Sequence, residues 1–341
     1  VVRAASVGQE ALGDAAGENW LVEDMLRVEE VMTRAAGGSR HTLVSEASLY
    51  LMKAGGKRLR PALVMITSHA GEAGRLGSDL AAAAIELVHL ATLYHDDVID
   101  GTATRRGVAT THSKWGTDIA VLAGDYLFAC GSSLGAAAGG EVPLILANAI
   151  AEVCEGQIVE TTAVGDTERR VDDYIDVISM KTAALFRSAC VLGAATSAAD
   201  TEHRELLATY GESLGLAFQI VDDLLDLVGD PAVTGKIPGT DIRAGVFTAP
   251  VLLACERDAE FKAKLARAEF DLDDLLPALW STGAIDDAYS MAASYTARGR
   301  EALAGLPAEE YRDVLRTILD GVLAQVDIPK PEIAHDIKLV P

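Results

Sequence analysis

The sequence predicts an all-α protein built as a single domain. Long apolar segments of helical length are separated by Gly- or Pro-containing breaks. No alternation long enough for a sheet and no tandem repeat is present. Half of the 341 residues are hydrophobic and only 5% are aromatic, so a sizeable core can form, mainly from Ala, Leu, Val and Ile. Length alone would permit two domains, but one large helical unit is equally allowed.

Residues 1–18 are rich in Gly and Ala and are expected to fray. The helical domain is expected over 19–326. Asn19 can cap a first helix to about Arg34, with its apolar stripe at Trp20, Met25, Val28, Val31 and Met32. After a Gly-Gly-Ser break, a helix from about Leu43 reaches Ala54. Gly55 to Pro61 (GGKRLRP) follows, and Pro61 can open the next helix, to His69. From Asp79 one helix climbs to Asp96–Asp100, and a turn spans Gly101 to Gly107. Helices are then expected at Trp115–Ala138, from Pro143, after Arg170, and at Glu202–Asp226. Gly229 to Pro250 reads as a loop at least in part. Val251 to about Val326 is helical again, with breaks at Gly283 and Pro307. The tail 327–341 carries three prolines and is expected to be extended.

The chemistry concentrates in IELVHLATLYHDDVIDGTATRRG, Ile85 to Gly107. Asp96 and Asp100 share one helix face, and Asp97 lies about 100° round. Three carboxylates at the end of an apolar helix are costly unless cations neutralise them. Oxygen-only ligands suit Mg²⁺, which binds through a few carboxylates plus substrate phosphates. A lone triad is as readily a solvated helix end. The arrangement recurs, however, in LGLAFQIVDDLLD, with Asp222, Asp223 and Asp226 at the same spacing. Two facing triads would hold a metal cluster with a diphosphate as the shared ligand.

Cations accompany the triads. Arg105 and Arg106 can grip phosphate oxygens in a bidentate fork. GGKRLRP puts Lys57, Arg58 and Arg60 within four residues, which in so acidic a chain points to an anion site. Lys181 and Thr182 lie two turns into an apolar helix, where a cation wants an anion. Asp172, Asp173 and Asp176 repeat the triad spacing but open a helix, where acids complement its dipole. Asp273–Asp274 and Asp286–Asp287 lack a third carboxylate at that spacing.

The net charge of −22 argues against a nucleic-acid partner, without excluding a small phosphorylated substrate. Cys130, Cys154, Cys190 and Cys255 show no CxxC spacing and read as reduced thiols of a cytoplasmic protein. The N-terminus lacks a signal-peptide pattern, and no run of about 18 apolar residues is evident, so a soluble chain without a membrane span is expected.

HLATLYHDDVID with its RRG, GGKRLRP, KTAALF, FQIVDDLLD and GKIPGTDIRAGVFTAP together resemble the trans-type isoprenyl (polyprenyl) diphosphate synthases, over about residues 50–255. The resemblance implies an antiparallel helix bundle around a deep central cavity, usually a homodimer. It implies that Asp96, Asp97, Asp100, Asp222, Asp223 and Asp226 bind Mg²⁺ ions (Mn²⁺ as a substitute) that clasp the allylic diphosphate. Arg105, Lys181, Lys236, Thr182 and Gln219 match the allylic site; Lys57, Arg60, His89 and Arg106 match the isopentenyl diphosphate site. The dimethylallyl, geranyl, farnesyl and geranylgeranyl diphosphates are the allylic substrates implied. GKIPGTD, with Lys236 and Asp241, looks like a closing loop. Ala249 departs from the Leu common in that motif, and a packing effect only is expected.

The growing tail is expected between the helices bearing Asp96 and Tyr126. Val88, Ala91, Thr92, Phe128 and Ser132 would bound it. Ala91 and Thr92, one turn before Asp96, are small, as are Ala129 to Ser133, Gly135 and Ala136 opposite. An open tunnel and a product of seven to ten units would follow, with peripheral membrane contact for its release; ATLYHDD also looks like the long-chain subgroup serving quinone side chains. The alternative use of these small residues is close helix packing. A floor at Phe128 would favour a short-chain synthase. Retention of both triads argues against a non-catalytic partner subunit, and DDLLD argues against a terpene cyclase.

Overall fold

The computed structural model describes residues 19–71, 75–229, 238–267 and 270–326. The observed helices are α1 (Asn19–Ala36), α2 (Thr42–Lys53), α3 (Leu59–Thr67), α4 (Arg75–Ile99), α5 (Thr111–Trp115), α6 (Thr117–Ala138) and α7 (Val142–Thr162). They continue with α8 (Val171–Ile178), α9 (Ala184–Thr196), α10 (Thr201–Val228), α11 (Thr240–Arg243), α12 (Ala249–Arg257), α13 (Ala259–Ala266), α14 (Leu272–Ser281), α15 (Ala284–Ala304) and α16 (Glu310–Leu323). The only strands among the described residues are β1 (Thr104–Arg105) and β2 (Val108–Ala109), an antiparallel hairpin.

The bundle is organised around α4. Its residues from Ala81 to Val88 are all buried, so the helix passes through the core and delivers its polar C-terminal end to one rim. It packs along α6 on one side and against α3 and α9 on others, while α10 runs between α9 and α15.

Three local features differ from the sequence expectation. Gly116, at φ +90°, separates α5 from α6, so the helix expected from Trp115 begins at Thr117, and Trp115 closes a short helix of its own. Between α8 and α9 the chain makes a wide π turn over Ser179–Ala183, a type of insertion that often marks functional sites. There Gly156 of α7 lies so near that a Cβ would stand 2.7 Å from the Lys181 backbone N. Finally, Arg106 (φ +53°) and Gly107 (φ +74°) form the hairpin turn, both left-handed as a tight type I′ turn requires.

By length and hydropathy, α6, α7 and the segment Val171–Thr196 could each cross a membrane. This corrects the expectation that no stretch was long and apolar enough. The third is two-thirds buried within the bundle, and the first two are one-third buried.

Candidate active site

One rim of the bundle gathers the end of α4, the β1–β2 hairpin, the end of α7, the π turn and the last turns of α10. Asp96 is half-buried and its carboxyl is held up at about 6: burial raises it most, Lys181 opposes, Asp100 adds, Arg105 opposes and Glu160 adds. Burial likewise raises Asp100, against Lys181. The two carboxylates, on one face of α4, thus both lie within electrostatic reach of Lys181. Asp97 points elsewhere, as its angular offset requires. It is 2% exposed and accepts from Arg105 Nε at 2.6 Å, so it anchors Arg105 rather than lining the gap.

The second motif divides in the same way. Asp223 is buried, and both its oxygens are occupied: Tyr174 Oη donates to one at 2.5 Å and Gln219 Nε2 to the other at 2.8 Å. Burial drives its carboxyl well above the ordinary range, with Asp241 adding and the two donors opposing. Gln219 Oε1 in turn accepts from Thr182 Oγ1 at 2.8 Å. Asp226 accepts the backbone N–H groups of Thr240 (3.3 Å) and Asp241 (3.1 Å), while its own carbonyl receives Gly239 N. It therefore pins α11 to α10. Asp222, half-buried, is the member of this triad left at the rim. The chain Thr182–Gln219–Asp223, with Lys181 beside Thr182 and acting on Asp96 and Asp100, carries the geometry from one motif to the other.

A second cationic seat lies below the hairpin. Arg60 Nη1 is 3.2 Å from His89 Nε2, and its guanidinium stacks on Phe186 at 4.5 Å. Lys57 Nζ stands over Phe218 at 5.3 Å, and the two rings are 5.4 Å apart. Burial, then Arg60 and Arg106, push His89 well below its usual range, so its imidazole is neutral. Arg106 donates to the carbonyls of Leu51 and Gly55. A Cβ on Gly56 would sit 2.7 Å from its guanidinium, which explains the second glycine of the loop. Arg60 Nε is buried with no hydrogen-bond partner, and burial lowers its guanidinium to about 10, leaving it charged at neutral pH. A buried charged donor with an unmet bond calls for an anion. Arg58, by contrast, is spent on Glu29 and Glu86, so the compact basic loop is one structural arginine and two cations at the site. Lys236 lies outside the described residues.

Among the chain-length candidates, Val88 and Ala91 are fully buried and Thr92 is half-buried, its Oγ1 bonded to the His89 carbonyl. A Cβ on Gly131 would come within 3.0 Å of the Ala84 carbonyl and 3.2 Å of Val88 Cγ2, and one on Gly124 would strike His95. These α6 glycines therefore serve close packing, and the seam between α4 and α6 is closed there. Ser132 is on the exposed face of α6, away from α4. Phe128 lies 5.5 Å from the His95 ring. At these positions α4 and α6 are in direct contact, whereas α4 barely touches α7. Asp172 pairs with Arg170, and Asp173 accepts the Arg170 N–H, so that acidic cluster caps α8.

Sequence reasoning missed Glu160 and Tyr174. The signal for Glu160 was an acid near the end of an otherwise apolar helix, which must find a cation; it is paired with Lys181.

An all-α bundle with two aspartate motifs and two cationic seats on one rim defines a protein that handles diphosphates. The Polyprenyl synthetase family model matches residues 41–274. A nonaprenyl diphosphate synthase of Mycobacterium tuberculosis is 35% identical, covering 92% of this chain and 96% of its own. The crystal structure of a decaprenyl diphosphate synthase from Rhodobacter capsulatus superimposes with a TM-score of 0.86 at 36% identity, covering 90% of this chain and 98% of its own. A polyprenyl synthase from Caulobacter crescentus, complexed with calcium and isoprenyl diphosphate, gives 0.84 at 34% identity, covering 92% and 97%. The chain belongs to the polyprenyl synthetase family and is a trans-prenyltransferase.

Proposed function

We propose that this enzyme condenses isopentenyl diphosphate with an allylic diphosphate, head to tail, to give a long-chain all-trans polyprenyl diphosphate. The observation that carries the reading is the pair of cationic seats, Lys181 with Arg105 beside the aspartates and Arg60 with Lys57 and Arg106 around His89. Two diphosphates need two such seats. Relatives named for nonaprenyl and decaprenyl products support the long chain.

Among the described residues no three His, Cys, Asp or Glu side chains converge to hold a metal ion. Asp96 and Asp100 are nonetheless a crowded all-oxygen set, and burial holds Asp96 up at about 6. That fits a hard cation which completes its shell with water and phosphate oxygens. Asp96, Asp100 and Asp222 would hold Mg²⁺, which when bound supplies neutralisation of the departing diphosphate. Lys181 and Arg105 grip that diphosphate while the allylic C–O bond breaks, its electron pair leaving with the oxygen. Thr182 and Gln219 line the allylic seat, and the Phe186 and Phe218 rings help exclude water. Arg60, Lys57 and Arg106 orient isopentenyl diphosphate so that its double bond attacks C1, and the departed pyrophosphate then takes a proton from the new unit, which restores a double bond.

Metal binding should weaken as the pH falls through about 6. A proton on Asp96 competes with the cation, and the facing Lys181, Asp100, Arg105 and Glu160 set that value. Calorimetry with Mn²⁺ should show roughly tenfold loss per pH unit below that point; a flat profile between pH 5 and 7 would remove Asp96 from the metal site.

A homodimer accounts for the apolar surface of α6 and α7, where Leu122 is 61% exposed, Leu144 64% and Ile158 64%. Sedimentation should give a species of twice 35.8 kDa; a monomer at micromolar concentration would refute it. A cytoplasmic location fits four free cysteines.

The function is tested by incubating the protein with farnesyl diphosphate, labelled isopentenyl diphosphate and Mg²⁺, then separating the dephosphorylated products. A ladder ending at seven to ten units is expected. Arrest at four units would make it a short-chain synthase, the reading that Phe128 beside His95 would favour. No elongation with any allylic primer would overturn the proposal.

A further inference from the structure

Lys181 already holds an anion. Its Nζ is bonded to Glu160 Oε2 near the end of α7, and the two side chains are only 25% and 18% exposed. Glu160 also stands close enough to Asp96 and Asp100 to push both carboxyls up, while Lys181 pulls both down. An acid among acids is costly where it stands, and here it occupies the cation that a diphosphate would need. Bracing α7 against the π turn does not require it. Gly156 already brings the two backbones together, and Glu152 of α7 pairs with Arg187 of α9 further along the same seam.

We infer that Glu160 is an internal competitor of the diphosphate for Lys181. With the seat empty, the Lys181–Glu160 pair closes it. When a diphosphate arrives, Lys181 turns to the more highly charged anion, and Glu160 is left facing like charge. That residual repulsion lowers affinity for the bound diphosphate. It also favours release of inorganic pyrophosphate after each condensation, because Glu160 retakes the ammonium as the product leaves. The inference rests on the synthase reading and assigns a positioning role to a residue outside both aspartate motifs.

The test is the affinity for inorganic pyrophosphate, by calorimetry, in wild type, Glu160→Gln and Glu152→Gln, in EDTA and again in Mg²⁺. Glu160→Gln keeps the side-chain shape and an oxygen acceptor but removes the competing charge. Its pyrophosphate affinity should tighten about tenfold or more, equivalent to about 1.4 kcal/mol, and most visibly in EDTA. In turnover its kcat should fall as release slows, while kcat/KM for the allylic substrate holds or rises. Glu152→Gln removes a pair on the same seam and should move only the melting temperature. Unchanged or weaker pyrophosphate binding by Glu160→Gln, with wild type binding normally in Mg²⁺, would overturn this inference alone. Absence of pyrophosphate binding in all three proteins in Mg²⁺ would overturn the synthase reading and this inference with it.

Discussion

Replacing Asp96 or Asp222 with Ala should lower kcat by a factor on the order of 10³ or more while leaving the helical fold intact. Both carboxylates stand at the rim of the gap, half-buried, where a metal-bound diphosphate would be clasped. Loss of either should remove stabilisation of the charge that develops on the departing diphosphate. The fold should tolerate the change at Asp96 in particular. Its carboxyl is held up at about 6, chiefly by burial, so the ionised form is disfavoured where it stands and its deletion should cost the fold little. Asp223→Ala makes the contrast. It would leave the Tyr174 hydroxyl and the Gln219 amide without their shared acceptor, at about 1–3 kcal/mol for each buried group, and the melting temperature should drop by several degrees. Far-UV circular dichroism, thermal melts and single-turnover rates on the three variants separate the roles. Near-normal turnover in Asp96→Ala or Asp222→Ala would remove that carboxylate from the mechanism. An unshifted melt in Asp223→Ala would show that its two hydrogen bonds are dispensable.

The sequence displayed this architecture because a bundle is built from local signals. The apolar run into Asp96 is one 25-residue helix, and Gly283 and Pro307 do interrupt the chain between helices. What stayed hidden depends on partners distant in sequence. DDxxD spacing puts a carboxylate on a helix face but cannot say whether that face meets a gap or a hydrogen-bond donor. Asp97 meets Arg105, Asp223 meets Tyr174 and Asp226 meets the backbone of α11. The basic loop likewise offered three equivalent cations until Glu29 and Glu86 took Arg58 out of the count. The π turn is a third case: propensity favours an ordinary helix through MKTAALF, and only the close approach of Gly156 accompanies the widened turn that carries Lys181 and Thr182. Small residues on α6 were equally compatible with an open tunnel and with close packing. The contacts of Gly124 and Gly131 decide for packing along that seam.

Arg60→Met should raise the KM for isopentenyl diphosphate by one to two orders of magnitude while changing the affinity for the allylic substrate little. Arg60 is the most deeply committed cation of its seat. Its Nε is buried with no hydrogen-bond partner in the protein, and its guanidinium stacks on Phe186. Charge-assisted hydrogen bonds are worth about 1.5–3 kcal/mol each, which corresponds to roughly 10- to 150-fold in affinity. Methionine retains much of the apolar stem and its contact with the Phe186 ring, so packing should suffer little. Removing a desolvated charge beside Arg106 relieves repulsion, so the melting temperature should hold or rise. His89 reports the change independently. Burial depresses its imidazole most and Arg60 is the next cause, so its ring should titrate at higher pH in the variant, which NMR can follow. A raised isopentenyl KM with an upward shift of His89 and an unchanged allylic KM would place Arg60 in the second seat. Equal losses for both substrates would instead mean that the two seats are not separate, and the division of cations argued from Lys181 and Arg60 would fail.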